Sequence, residues 1–180
     1  MSFDVLKNEL DNWPEAISPI LLCDPDDESD KVERGRSMVD LFLGPDLTGK
    51  KVLDYGCGEG HFSLAANEFG ADLSVGFDLI DPGRPSSDRL IYTTDFAEVE
   101  KHAPYDFVFL LDVIDHLVGE RPELVLKKAK ALLTKHGLVY MRCHPLTSRH
   151  GTHLYHDFNK AYAHLVFDTE ELSSMCPNAR

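Results

Sequence analysis

The stretch Asp54-Tyr55-Gly56-Cys57-Gly58-Glu59-Gly60 sets an acid before three glycines at alternating positions, directly after the apolar pair Val52-Leu53. Alternating glycines let a backbone come close to a ligand, and the first turn of a following helix offers unpaired N–H groups to it. The chemistry suggested is cofactor binding at a strand-to-helix turn. The GxGxG spacing departs from the GxGxxG of dinucleotide sites, but the next apolar stretch, Val75-Gly76-Phe77, ends in Asp78. An acid about 20 residues beyond the glycines stands where a carboxylate can accept both hydroxyls of a ribose.

Histidines supply the second set of candidates. His116, His144, His150, His153 and His156 carry imidazoles, which act as bases or metal ligands near neutral pH. Four of them lie in Cys143–His156, a polar segment that starts at the carboxyl end of an expected strand, where open α/β sheets bind ligands. A surface loop with no catalytic histidine is the competing reading of that segment. His116 and His144 are the preferred base candidates. The acidic run Asp24–Asp30 holds five carboxylates in seven residues. It lacks the ligand spacing and glycine hinge of a calcium loop and reads as a solvated turn.

These residues need elements to position them. Phe3, Leu6, Leu10 and Trp13 recur at helical spacing until Pro14 and Pro19 interrupt it, and Val32, Met38, Val39, Phe42 and Leu43 predict a second helix ending at Gly44-Pro45. From Lys51 the pattern alternates. Strands are expected at Lys51–Tyr55, Leu73–Phe77, Leu90–Tyr92, Phe107–Leu111 and Leu138–Met141. Helices are expected at His61–Phe69, Ala97–Lys101 with Asp95 as N-cap, and about Pro122–Leu133, with Gly137 marking the end of the last. Such alternation predicts a parallel sheet covered by helices.

With 180 residues, 43% of them hydrophobic, the chain has the length of one domain with a sizeable core. The expected organisation is a single domain over 1–180: an N-terminal helical cap (1–48), a cofactor-binding core (49–143), and a His-rich loop with a C-terminal helix (144–180). No apolar run reaches membrane-spanning length and no signal-peptide start is present, so a cytoplasmic protein without membrane contact is expected. Cys23, Cys57, Cys143 and Cys176 form no CxxC pair and read as reduced, buried thiols. A net charge of −13 argues against broad binding to nucleic acid, because phosphate affinity needs many basic contacts. A structured RNA would need a local basic surface, and Tyr140–His164 is the best candidate for one.

The glycine-rich stretch resembles the D/E-x-G-x-G-x-G first motif of the class I S-adenosylmethionine-dependent methyltransferases. Asp78, Thr94-Asp95-Phe96, Tyr105–Leu117 and Ala131–Val139 resemble later family segments in the same order, with His136 where the family usually has proline or glycine. The resemblance covers roughly Lys50–Arg142. It implies a Rossmann-like, doubly wound, mostly parallel α/β sheet of order 3-2-1-4-5 with helices on both faces. It also implies S-adenosylmethionine as cofactor and S-adenosylhomocysteine as product. Asp78 would take the ribose, Asp54 would lie near the methionine end, Asp95 near the adenine amino group, Phe96 against its ring, and Asp112 beside the transferring methyl. Gly56, Cys57, Gly58, Gly60 and Leu79 complete the expected cofactor-binding set.

The segment after the fourth strand lacks the motifs of amino-methylating and cytosine-methylating DNA enzymes, which argues against those acceptors; a small molecule or an RNA is the expected acceptor. Asp112-Val113-Ile114-Asp115-His116 resembles the ExxEH metal segment of small-RNA 2′-O-methyltransferases with shorter acids, and no bound metal is expected. Asp168-Thr169-Glu170-Glu171-Leu172 resembles the start of the helix that precedes strands six and seven in the family. Those strands are expected to be missing, with the strand-five edge covered in a homo-oligomer or by a partner chain. Two other readings share parts of the pattern: a non-catalytic methyltransferase-like subunit of a larger assembly, and a nicotinamide-dependent oxidoreductase.

Overall fold

Val52 and Leu53 point to opposite faces of one strand, and the layers of the protein follow from that alternation. A computed structural model describes residues 13–16, 27–117, 119, 121–149 and 158–175. The chain divides into two compact units, Pro25–Cys143 and one drawn from both chain ends, Met1–Asp24 with His144–Arg180.

The larger unit runs α1 (Glu28–Leu43), β1 (Lys51–Tyr55), α2 (His61–Glu68), β2 (Leu73–Phe77), β3 (Leu90–Thr93), α3 (Phe96–His102), β4 (Tyr105–Leu111), a 3-10 turn (Ile114–His116), α4 (Arg121–Ala131) and β5 (Leu133–Arg142). The five strands pair in parallel in the order β3-β2-β1-β4-β5, as expected. Val52, Phe62, Ala65, Ala66 and Phe109 form one core with Val39 of α1 and Leu47. Leu53, Val75, Val108 and Leu110 form the other with Val99 of α3 and Ala129 of α4. Each Val, Leu or Phe side chain among them contributes about 1.5–3 kcal/mol when taken out of water, so the two-sided packing fixes which residues face which layer.

The helix expected over Val32–Leu43 starts earlier, at Glu28. Asp27 caps it by accepting from the Ser29 N–H at 2.7 Å, and acids occupy the first turn, where the helix dipole favours them. This helix belongs to the sheet unit. Of the acidic run, read above as a solvated turn, Asp27 is that cap and Glu28–Asp30 open the helix; residues 24–26 of the run, residues 3–12 of the first expected helix, and His150, His153 and His156 lie outside the described residues.

The largest departure is at the sheet edge. The last helix ends at Ala131 and β5 begins at Leu133, five residues before the expected start. Tyr105 pairs with Leu133 and Phe107 with Leu138, so Asp106 alone stands opposite Thr134–Gly137. Gly137 sits inside that irregularity. A Cβ there would lie 2.9 Å from the Tyr105 carbonyl oxygen, so the glycine serves a close backbone approach instead of a helix end.

The smaller unit has α5 (Ala163–Val166) and α6 (Thr169–Met175). Asp168 begins the latter, its carboxylate accepting from the Glu171 N–H at 2.9 Å while Glu171 accepts from the Asp168 N–H at 3.0 Å, a capping box. Trp13 Nε1 donates to the Ala161 carbonyl at 2.7 Å, and its ring meets Phe167 at 6.4 Å.

Gly35 gives the fold a direct test. A Cβ on it would lie 2.7 Å from the His61 carbonyl oxygen, where α1 crosses the start of α2. Helix propensity alone would make Gly35→Ala stabilising by about 1 kcal/mol. We expect a net loss of about 1–2 kcal/mol in urea unfolding, because the clash is with backbone; a gain in stability would show that the two helices separate freely.

Candidate cofactor site

The turn between β1 and α2 carries the glycines, and they do different things. A Cβ on Gly56 would lie 2.4 Å from Val113 Cγ2, and one on Gly60 would lie 2.4 Å from the Tyr92 ring. Those two are small because neighbours crowd them. Gly58, at φ 52°, has nothing within 4 Å of a Cβ position, so its freedom serves the turn itself and leaves space above it.

Asp78 ends β2 beside that turn. Its Oδ2 accepts from the Gly58 N–H at 2.8 Å, and its Oδ1 accepts from the Leu79 N–H at 2.7 Å. The carboxylate thereby ties two loops together and still has lone pairs for a diol.

Beneath the turn a chain of buried polar groups runs from sheet to helix. The Ser74 hydroxyl donates to the Ser63 carbonyl at 2.8 Å, and the Ser63 hydroxyl donates to Asp54 Oδ2 at 2.8 Å. Asp54 is only 2% exposed. Burial pushes its carboxyl up from 3.8 to about 7, a rise that the Ser63 bond opposes and the nearby Asp78 charge adds to. Burial also raises the Cys57 thiol well above its ordinary range, which makes it a poor nucleophile at neutral pH.

A cleft of about 720 Å³ opens at the carboxyl ends of the strands. Tyr55, Phe77 and Phe96 make an aromatic wall, with Tyr55 and Phe77 edge-on at 5.1 Å and Phe77 and Phe96 edge-on at 5.5 Å. Lys128 Nζ lies 4.5 Å above the Phe96 ring. Asp78, Leu79, Asp112, Val113 and His116 line the cleft too, together with Arg121, Leu124 and Val125 of α4.

Asp112 is one of two non-glycine residues at positive φ among those described, at 56°. Its N–H donates to the Arg142 carbonyl at 2.8 Å, and Arg142 grips its carboxylate through Nε at 3.1 Å and through Nη2.

The structure therefore brings Gly56, Asp78, Leu79, Phe96, Asp112 and His116 together on the cleft wall. Asp54, Cys57, Gly58, Gly60 and Asp95 do not line it. Asp95 caps α3, accepting from the Ala97 N–H at 2.9 Å. His144 belongs to the other unit. Sequence reasoning missed the stripe Arg121, Leu124, Val125 and Lys128. Its three-to-four spacing was the available signal.

The residues fit the group that the sequence resemblance implies: a carboxylate for a ribose diol, an aromatic wall for a flat base, and open space over Gly58. Comparison with known proteins decides the family. The family described as "Methyltransferase domain" matches residues 31–179.

This chain belongs to that methyltransferase family.

Its fold is that of the class I S-adenosylmethionine-dependent members. A ribosomal protein L11 methyltransferase from Nitrosomonas europaea is 43% identical over 68 residues, covering 31% of this chain and 20% of that protein. Another from Actinobacillus succinogenes is 54% identical over 39 residues, covering 22% and 13%. The chain thus spans about a fifth or less of the length of these relatives. Among solved structures, the 1,6-didemethyltoxoflavin N1-methyltransferase of Burkholderia thailandensis, with 1,6-didemethyltoxoflavin and S-adenosylhomocysteine bound, superposes with a TM-score of 0.50 at 19% identity, covering 63% of this chain and 52% of that one. A SAM-dependent methyltransferase from Archaeoglobus fulgidus gives 0.46 at 22% identity, covering 60% and 51%.

Asp54 makes the stability of this domain fall as pH rises from about 4 towards 7. The folded chain keeps a proton that the unfolded chain loses near pH 4, so this group's contribution is most favourable at low pH and declines as pH rises towards 7. Asp54→Asn keeps a partner for Ser63 without the charge. Above pH 7 we expect it to be more stable than the parent by up to about 4 kcal/mol, with no gain near pH 4, in thermal melts across that range. Equal curves at all pH values would show that Asp54 carries its charge without cost.

Proposed function

We propose that this methyltransferase domain holds S-adenosylmethionine in the cleft and transfers its methyl group to a small-molecule acceptor. The observation that carries the reading is the Asp78 carboxylate, placed in the cleft at the end of β2 and bonded to the N–H of Gly58, the glycine with open space above it. When bound, the cofactor supplies a methyl on a sulfonium, which an acceptor takes by in-line displacement. The protein's task is alignment. Asp78 would take the ribose hydroxyls, Tyr55, Phe77 and Phe96 would stand beside the adenine with Leu79, and Asp112 and Val113 would face the reacting end.

An acceptor carrying a proton needs a base, and exposed His116 at the cleft is the residue proposed for it. The net charge of −13 and the apolar Leu117, Leu124 and Val125 in the cleft favour a small molecule over RNA as acceptor. Among the described residues no helix is long and apolar enough to cross a membrane, and a cytoplasmic setting goes with this reading.

Calorimetric titration with S-adenosylmethionine tests the proposal, with NADH as the competing ligand. We expect saturable S-adenosylmethionine binding, weakened at least about 30-fold in Asp78→Ala, because that change removes charge-assisted bonds to both the diol and the turn. Binding of NADH alone would overturn it.

The edge strand β5 also bears on assembly. Leu138 and Met141 on it are each 52% exposed. We propose that a second copy covers this edge, since among the described residues no strand pairs with its outer side and an edge with apolar side chains favours pairing. Light scattering should show a species larger than one chain, and Leu138→Lys should shift it towards monomer; a monomeric parent chain would refute self-association.

A further inference from the structure

Gly56, Gly58 and Gly60 bring no side chains to hold the turn, and the structure braces it from outside. Arg84, in the extended connection between β2 and β3, donates through Nε to the Glu59 carbonyl, between Gly58 and Gly60. Its Nη2 donates to Glu28 Oε1 at 2.6 Å, in the first turn of α1, and lies 2.6 Å from His61 Nε2, in the first turn of α2. His61 Nε2 is 3.0 Å from Glu28 Oε2, and Lys31 Nζ reaches the Glu59 carboxylate at 2.9 Å. The guanidinium is largely covered, its side chain 21% exposed, and the imidazole is 13% exposed.

We propose that Arg84, with Glu28 and His61, is a positioning brace that pre-forms the cofactor-binding turn, joining the same two loops that Asp78 ties. This rests on the cofactor reading above. Asp78 bonds the Gly58 N–H, and Arg84 bonds the carbonyl of the following residue, Glu59. A turn of alternating glycines loses much conformational freedom when it orders, and a binding site that meets this cost before the ligand arrives binds more tightly. A planar guanidinium suits the task because Nε and Nη2 address different partners in a fixed fork, which an ammonium cannot copy. The same atoms explain why Glu28, Glu59 and His61, close enough to suggest a metal site, serve otherwise: Arg84 and Lys31 already engage both acids.

Affinity for S-adenosylhomocysteine by calorimetry, read beside melting temperature and hydrogen exchange, tests the brace. Arg84→Gln and Arg84→Lys should each weaken binding about tenfold, and Glu28→Ala about fivefold. The double change Arg84→Gln with Glu28→Ala should lose no more than Arg84→Gln alone. Glu33→Ala, which removes a like charge from the same helix outside the brace, should leave affinity unchanged. Exchange should quicken in residues 58–60 and 79–87 and stay the same in β1 and β4. Less than a twofold change in affinity for Glu28→Ala and the Arg84 variants would overturn the brace, as would a uniform loss of exchange protection across the sheet. If Arg84→Gln does not fold, Glu28→Ala decides, because Glu28 is exposed. A parent chain that binds no S-adenosylhomocysteine would instead sink the cofactor reading, a result distinct from equal binding by parent and variants.

Discussion

The hydrogen bond between the Gly58 N–H and the Asp78 carboxylate is the constraint around which this domain is arranged. It exists only because β1 and β2 run parallel and in one register, with Asp54 opposite Gly76 and Tyr55 opposite Phe77. Both strands then end at the same level, and the first residue beyond β2 meets the turn that leaves β1. A slip of one residue would turn the acid to the other face. Register is protected by the cores on both sides, since Val52 and Leu53 would each exchange an apolar layer for the wrong one. The site's geometry is thus a consequence of sheet packing some distance below it.

Close packing also decides which polar groups can sit under the turn. Gly76 is where β2 passes beneath α2, and a Cβ there would lie 2.7 Å from the Ser63 hydroxyl and 3.1 Å from Cys57 Sγ. The small residues Gly76, Ser74 and Ser63 let helix and sheet approach closely enough for Ser63 to reach Asp54. A buried carboxyl with one good partner is tolerable when protonated and costly when ionised. Asp54 therefore supports the turn from below as a packed, hydrogen-bonded group, while Asp78 presents its charge at the surface of the cleft.

Much of this was legible in the sequence, for physical reasons. Strand, glycine turn and helix are local features with local chemistry, so Lys51–Tyr55, the turn and the start of α2 appear where residue types place them. Asp78 was legible because its distance from the glycines is set by one helix and one strand. What escaped depends on contacts between distant residues. Nothing local to Arg84 points to Glu28, 56 positions earlier, and nothing local to Arg142 points to Asp112. The α4–β5 boundary was misplaced because Lys135-His136-Gly137 reads as a helix end, while the backbone of Tyr105 and Asp106 claims Gly137 for the sheet. Asp95 was legible in its capping role because capping is local; a role towards a ligand depends on what stands across the cleft.

Asp112 shows how the strand ends convert fold into function. A non-glycine residue at φ 56° is sterically unfavourable and persists only where surrounding structure over-determines it. Here the surroundings are explicit: its N–H is committed to the Arg142 carbonyl, its carboxylate to the Arg142 guanidinium, and its neighbour Val113 is wedged against Gly56. The same few residues thus set the wall of the cleft opposite Asp78 and lock it against the glycine turn. Methyl transfer asks little of a protein except that two reactants stay in line, so rigidity at these positions is the contribution the fold can make. An arrangement in which β1, β2, β4 and β5 each end in a residue bonded or packed to another strand's end supplies that rigidity from the sheet itself.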